Sequence, residues 1–508
     1  MKTIYDVVII GSGAVGSIIA TILSKLGYQV LLLEKGKHPR FAIGESSTPV
    51  TTLYFERFAR IYQIPELSQF SSYKKMKTDA SRLNCGPKEM FYYLYHELDK
   101  PVSCFEDMEE EIAMQLEDDM QYDRAAMDEH LVRVAQQYGV HYIDQITVTS
   151  FDLGKDKVSL QCMKDGEAQH FEAKFMIDGA GFHSIISDKL NLRIPPDEID
   201  IPLKSRTIYS HFRNVKTITE VFDNKCYNDK LPIQRERSTQ HHVFDGGWYW
   251  FIPFDNGVTS IGVCLDTEVF PENDMDAEAE FWAITNRLPV VSAILKEAKA
   301  TMPFIKSGRM QYLSSQLAGD RWALLPFAAS FLDPWQSTGL TVSMMGVERL
   351  VWALDNVVFK LNAFERNSLQ NYENSLNREY HHLARFIHGI YKSTKNYKLF
   401  RLFCLMPALS VGSFVKDGGL IRPWDENALF MNFGNPHWRA VFYKFYNLVL
   451  ELNQKQEVTE AEYQHLQDVL LEDFSRYDTR EYGCPSQNNV YLNRKDIALE
   501  KAVTEALI

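Results

Sequence analysis

The 508-residue sequence is short of the features that mark several common protein classes. Its seven cysteines are an odd number and include no C-x-x-C pair, which argues against a zinc site or a disulfide framework and for a reducing compartment. Basic residues are not in excess: 54 Lys and Arg stand against 67 Asp and Glu, a net charge of −13, so a general nucleic-acid binder is excluded. No apolar run reaches the roughly 18 residues of a membrane span. The nearest, "LFRLFCLMPALSVGSFV" (399–415), is interrupted by Arg401 and Pro407 and reads as a buried helix ending near the proline, with a lipid-facing patch as the alternative. Internal repeats and low-complexity tracts are missing. The opening "MKTIYDVVIIGSG" runs into a glycine motif rather than a small-residue cleavage site, so it reads as a strand and not a signal peptide, and a cytoplasmic location is expected.

What remains is a globular composition, 45% hydrophobic and 24% charged, able to bury a sizeable core. The expected class is α/β. Residues 1–200 alternate strands and helices, 201–345 read mainly as a sheet that returns to the first part, and 346–508 are mostly helical, with a polar, loosely packed tail after about 475. "YDVVIIGSGAVGSIIATILSKLGYQVLLLEKG" is a complete strand–helix–strand unit. Gly11 permits the tight turn, Gly13 lets a pyrophosphate approach the backbone, and Gly16 lets the helix pack on the strand. Glu34, ending the second strand, stands where a carboxylate takes ribose hydroxyls. The unit predicts a Rossmann-like dinucleotide site without choosing between FAD and NAD.

A second stretch, "GGWYWFIPF" (246–254), has period-2 alternation. It places Trp248 and Trp250 on one face of a strand and Tyr249 and Phe251 on the other, and Pro253, with no N–H to give, ends the ladder. By itself this is a packed core strand.

Three segments change that reading: "RFAIGESSTP" (40–49), W-x-W-x-I-P at Trp248, Trp250, Ile252 and Pro253, and "DPWQSTG" with Pro334, Ser337, Thr338 and Gly339. Together, and in this order, they resemble the flavin-dependent halogenases over about residues 1–350, more the pyrrolnitrin-pathway pyrrole type than the tryptophan type. The resemblance implies the FAD fold shared with aromatic hydroxylases. The cofactor would lie against Gly11, Gly13, Ala14, Val15, Gly16, Glu34, Lys35, Arg40, Arg124, Asp178, Gly179 and Leu340. Thr338 and Gly339 would hold chloride or bromide on backbone N–H groups, and Trp248, Trp250 and Pro253 would wall the flavin off from the substrate. A lysine would carry hypohalous acid across. Lys88, which follows a Gly86-Pro87 turn and opens an aromatic strand, is preferred to Lys75 and Lys77 in "YKKMK". Gln336 stands where tryptophan halogenases carry a glutamate, which implies an electron-rich pyrrole or phenol, free or carrier-bound. Glu89, Glu97 and His96 are candidate proton acceptors, and Asp333 is expected to fix the turn. With a single G-x-G-x-x-G, reduced FAD would come from a separate flavin reductase. The alternatives are a monooxygenase or other oxidoreductase of the same superfamily, or a flavoprotein that docks to a carrier protein.

Overall fold

A computed structural model describes residues 4–78, 83–101, 111–222, 234–416, 424–455, 457–474 and 490–492. Apart from 490–492, the polar tail lies outside the described residues. Two sheets organise the chain. The first contains β1 (Ile4–Ile10), β2 (Val30–Leu33), β5 (His141–Ile143), β6 (Ile146–Leu153), β7 (Val158–Lys164) and β8 (Glu167–Asp178). Strand β1 pairs in parallel with β2 on one side and β8 on the other, bringing Ile10 beside both Leu33 and Asp178. Val7–Ile10 of β1 and all of β2 are buried; helix α1 (Ala14–Lys25) packs on both strands, and helix α3 (Arg124–Gln137) packs beside α1 and on β5. A residue with a side chain could not stand at Gly16: a Cβ there would lie 2.0 Å from the Gly11 carbonyl oxygen.

The second sheet runs β9 (Ser205–Arg213), β12 (Thr259–Asp266), β11 (Gly247–Pro253), β10 (Ser238–Phe244), β3 (Cys85–His96), β4 (Glu111–Tyr122). Two of its strands thus come from the first 200 residues. In β11 the alternation holds: Trp248, Trp250 and Ile252 enter the large core, and Tyr249 and Phe251 enter a second core with Phe281 and Leu288. The helical region includes α4 (Thr338–Ala353), α5 (Gln370–Ser393), α6 (Tyr397–Lys416), α7 (Pro436–Asn453) and α8 (Glu460–Phe474). Helix α2 (Pro49–Ile61) packs against α4.

Two expectations are corrected. Helix α6 does not stop near Pro407 but continues through it to Lys416, and the Pro407 carbonyl accepts a hydrogen bond from Ser410 Oγ at 2.9 Å. Gly86 and Pro87 are not a turn before a strand; they lie inside β3, opposite Gln121 and Met120. Glycine is required at 86 because a Cβ would lie 2.0 Å from the Pro253 carbonyl oxygen.

Candidate functional site

The glycine turn is as tight as its sequence implies. Gly11 has φ +95°, and a Cβ on it would lie 2.6 Å from the Gly179 carbonyl oxygen. The Glu34 carboxylate accepts from the Ser12 N–H and hydroxyl, both at 2.9 Å, from the Gly36 N–H at 2.8 Å, and from Arg40 at 3.3 Å. Burial pushes its pKa up, but Arg40 and these donors outweigh burial and hold it below the ordinary value. Arg124 heads α3 behind an Asp123 cap, donates to Asp128, and reaches the Ile43 carbonyl at 2.8 Å. Around the Cβ position of Gly13 stand Asp128 Oδ2 at 3.7 Å and the guanidiniums of Arg40 and Arg124 at 3.9 and 4.0 Å. The carboxylate of Asp178 is consumed locally, by the Ala180 and Ile186 N–H groups and Ser184 Oγ. Ala14 and Leu340 are buried, Val15 is half-buried and Lys35 is exposed.

The lysines separate sharply. Lys75 and Lys77 are 47% and 40% exposed and pair with Glu56 and Asp255. Lys88 is 0% exposed. Its Nζ donates to Ser46 Oγ at 2.7 Å and to the Ser47 carbonyl, and lies 3.6 Å from the Phe91 ring centroid. Burial holds the amine well below the ordinary lysine range, against the pull of Asp119. Asp119 is its partner across β3 and β4, bonded to Thr52 Oγ1 at 2.8 Å. Burial raises that carboxyl to about 6, while Lys88 and Thr52 act in the opposite direction.

One segment joins these parts. Gly44 and Ile43 take Arg124, Ser46 and Ser47 take Lys88, and Thr48 and Thr51 meet Thr341 of α4 at 2.6 and 2.8 Å. Helix α4 begins at the Ser-Thr-Gly turn. Gln336 and Ser337 are left-handed, at φ 54° and 56°, and no side chain caps the helix. A left-handed residue followed by a right-handed one turns consecutive N–H groups to one side, which is an anion nest. Gly339 faces Phe327, whose ring would lie 2.7 Å from a Cβ. That phenylalanine belongs to the Pro326-Phe327 pair beside the turn.

Trp248 meets Trp335 of the turn edge to face, centroids 4.9 Å apart and planes at 87°. Tyr93 stacks on His241 at 4.5 Å, and burial lowers that histidine to about 3, so it is neutral. Gln336 donates its amide to Tyr93 at 3.0 Å. Asp333 does hold the turn, accepting the Trp335 N–H at 2.9 Å. The proposed proton acceptors do not gather at Lys88: Glu89 pairs with Arg237, Glu97 with Lys100, and His96 with His242. Asp119 was missed, and its one signal is the acid pair Asp118-Asp119 in a strand whose Ile112, Ala113, Met114, Leu116 and Met120 are buried.

A dinucleotide fold joined to a second sheet, with a buried lysine and a tryptophan-lined strand between them, defines a two-sheet protein of the dinucleotide-binding class. A profile of NAD(P)-binding Rossmann-like domains matches residues 9–70, and one of tryptophan halogenases matches residues 54–400. The chain belongs to the tryptophan halogenase family. It is 30% identical over 357 residues to tetracycline 7-halogenase of Kitasatospora aureofaciens, covering 69% of this chain and 63% of that protein. It is 33% identical over 379 residues to monodechloroaminopyrrolnitrin halogenase PrnC of Pseudomonas fluorescens, covering 71% and 64%. The chain thus spans a little under two thirds of the length of these relatives. The crystal structure of halogenase PltM with phloroglucinol and FAD shares the fold, with TM-score 0.85, 23% identity, and coverage of 96% of this chain and 99% of that one.

Proposed function

We propose that the chain is a flavin-dependent halogenase that uses reduced FAD from a separate flavin reductase, O2 and chloride or bromide to halogenate an electron-rich aromatic, a pyrrole or phenol. The observation that carries this is Lys88: a fully buried amine, bonded to the segment that also meets Arg124 and the helix of the Ser-Thr-Gly turn. A structural lysine has no need of such a place, since burying an amine is unfavourable unless it is used.

The residues fit FAD. His38 Nδ1 and Arg40 Nε are buried beside Glu34 with no hydrogen-bond partner among the described residues, and Gly13 leaves space where two guanidiniums converge. Glu34 would take the ribose hydroxyls, and Arg40 and Arg124 the pyrophosphate. FAD, when bound, supplies the two-electron chemistry with O2 that turns halide into hypohalous acid. The N–H groups of Thr338 and Gly339 would hold the halide as dipoles, without a full positive charge that would keep it from leaving. Trp248 and Trp250 would keep the aromatic away from the cofactor. Lys88 Nζ would donate a hydrogen bond to the hypohalous acid; in its neutral form it could instead take the halogen on nitrogen, releasing water.

The substrate class rests on two points. Gln336 cannot serve as a base and is engaged with Tyr93, so a ring that needs little help in losing its proton is favoured. One relative, 26% identical, is a 1H-pyrrole-2-carbonyl-[peptidyl-carrier protein] chlorinase, which makes a carrier-bound substrate a reasonable test arm. The experiment is turnover with a flavin reductase, O2 and bromide on free phenols and free and carrier-loaded pyrroles, read by mass spectrometry. A brominated product is expected. A hydroxylated product formed with or without bromide overturns the reading in favour of a monooxygenase, and rapid NADPH oxidation without added reductase overturns the two-component scheme.

A further inference from the structure

The turn and the tryptophan strand are tied through one carboxylate. Asp333 Oδ1 accepts the Trp335 N–H at 2.9 Å, which sets the turn. Its Oδ2 accepts Ser205 Oγ at 2.6 Å and the Tyr391 hydroxyl at 2.9 Å. Tyr391, near the end of α5, accepts in turn from Trp248 Nε1 at 3.1 Å. All five side chains are buried. We propose that Tyr391 is a positioning residue that, through Asp333, locks the tryptophan wall to the halide turn, so that the space where hypohalous acid forms stays closed. This rests on the halogenase reading and gives the helical region a part in the site.

The geometry is specific. Tyr391 is both donor to Asp333 and acceptor from Trp248, and the buried Cys264 thiol on the neighbouring strand is bonded to the same hydroxyl. Trp248 and Trp335 touch directly as well, but an edge-to-face ring contact does not fix an indole along its own plane, whereas a hydrogen bond at Nε1 does.

Tyr391→Phe removes only the hydroxyl. Tyr249→Phe is the control: it deletes an equally buried hydroxyl, bonded to Thr285 at 2.9 Å, from the opposite face of the same strand. The first readout is independent of turnover. The near-ultraviolet circular dichroism of the Trp248–Trp335 pair should change in Tyr391→Phe and not in Tyr249→Phe. The second is turnover with bromide and monochlorodimedone as trap: half-saturating bromide should rise roughly fivefold, the weight of the Trp248 bond alone, and the share of trapped oxidant should grow. Asp333→Asn, which keeps the shape, should show the same dichroism change if Tyr391→Phe does not fold. Unchanged dichroism and unchanged trapping in Tyr391→Phe, or the same changes in Tyr249→Phe, overturn the proposal. A parent protein that consumes O2 yet never oxidises bromide overturns the halogenase reading instead, and the dichroism still decides the link.

Discussion

Lys88→Met tests the site most directly. Methionine keeps an unbranched side chain of similar length and removes the amine. The hydrogen bonds to Ser46 Oγ and the Ser47 carbonyl are lost, each worth about 1 kcal/mol net. The unfavourable burial of the amine disappears with them, so stability at pH 7.5 should stay within about 2 kcal/mol of the parent. The dependence on pH is more telling. Burial holds the folded amine well below its ordinary range, so at alkaline pH the folded chain binds fewer protons than the unfolded one. The contribution of Lys88 to the stability of the parent must then rise with pH, by up to about 1.4 kcal/mol per unit, until the unfolded lysine titrates near ~10.4. Urea denaturation at pH 7.5, 8.5 and 9.5 should therefore show the parent gaining on Lys88→Met at each step. Turnover with bromide should fall by about 10²–10⁴, the usual contribution of a positioned proton donor, with FAD binding kept. Parallel stability curves, or a variant that brominates normally, would refute the argument.

Lys75→Ala and Lys77→Ala should each leave bromination within about twofold of the parent and change stability by about 1 kcal/mol or less, because both side chains are largely exposed and water screens their ion pairs and the Lys75 bonds to Ser68 and Ser71. Trp248→Phe with Trp250→Phe loses the bonds to Tyr391 and Ser260. It should still bind FAD and consume O2, but release more dye-trappable hypohalous acid and less halogenated product. Gly86→Ala places a methyl 2.0 Å from the backbone of Pro253, which cannot swing aside as a side chain can, so thermal denaturation should report a loss of about 3 kcal/mol or more, or no folded protein. A fully stable Gly86→Ala would mean that β3 and the end of β11 separate readily.

The elements built from local rules were legible. The glycine turn, the strand–helix–strand unit and the alternation of Trp248, Tyr249, Trp250 and Phe251 follow from backbone sterics and period alone, and the fold repeats them. What failed to show depends on register. The ladder of β3 and β4 slips between Lys88 and Met90. Simple alternation would set Lys88 with Met90 and Tyr92; after the slip it lies over Phe91, on the side of Tyr93. The same slip turns Glu89 toward Arg237 and out of the candidate site. Asp119 and Tyr391 were hidden for another reason: they meet Lys88 and Trp248 across 31 and 143 residues of chain, and no pattern in either neighbourhood announces the meeting.

The stretch from Ile43 to Thr51 has a metrological consequence. Three parts of the proposed site, Arg124, the buried Lys88 and the helix that follows the Ser-Thr-Gly turn, take their positions from the same nine residues. Parts gauged from one reference do not accumulate each other's errors. When the two sheets breathe, the spacing among these three is set by side chains only a few bonds from a shared backbone, not by the sum of displacements through two lobes. The tolerance that the proposed relay of small reactive molecules would demand is therefore kept by a short loop and the beginning of one helix, and the larger body of the protein would be free to vary around it.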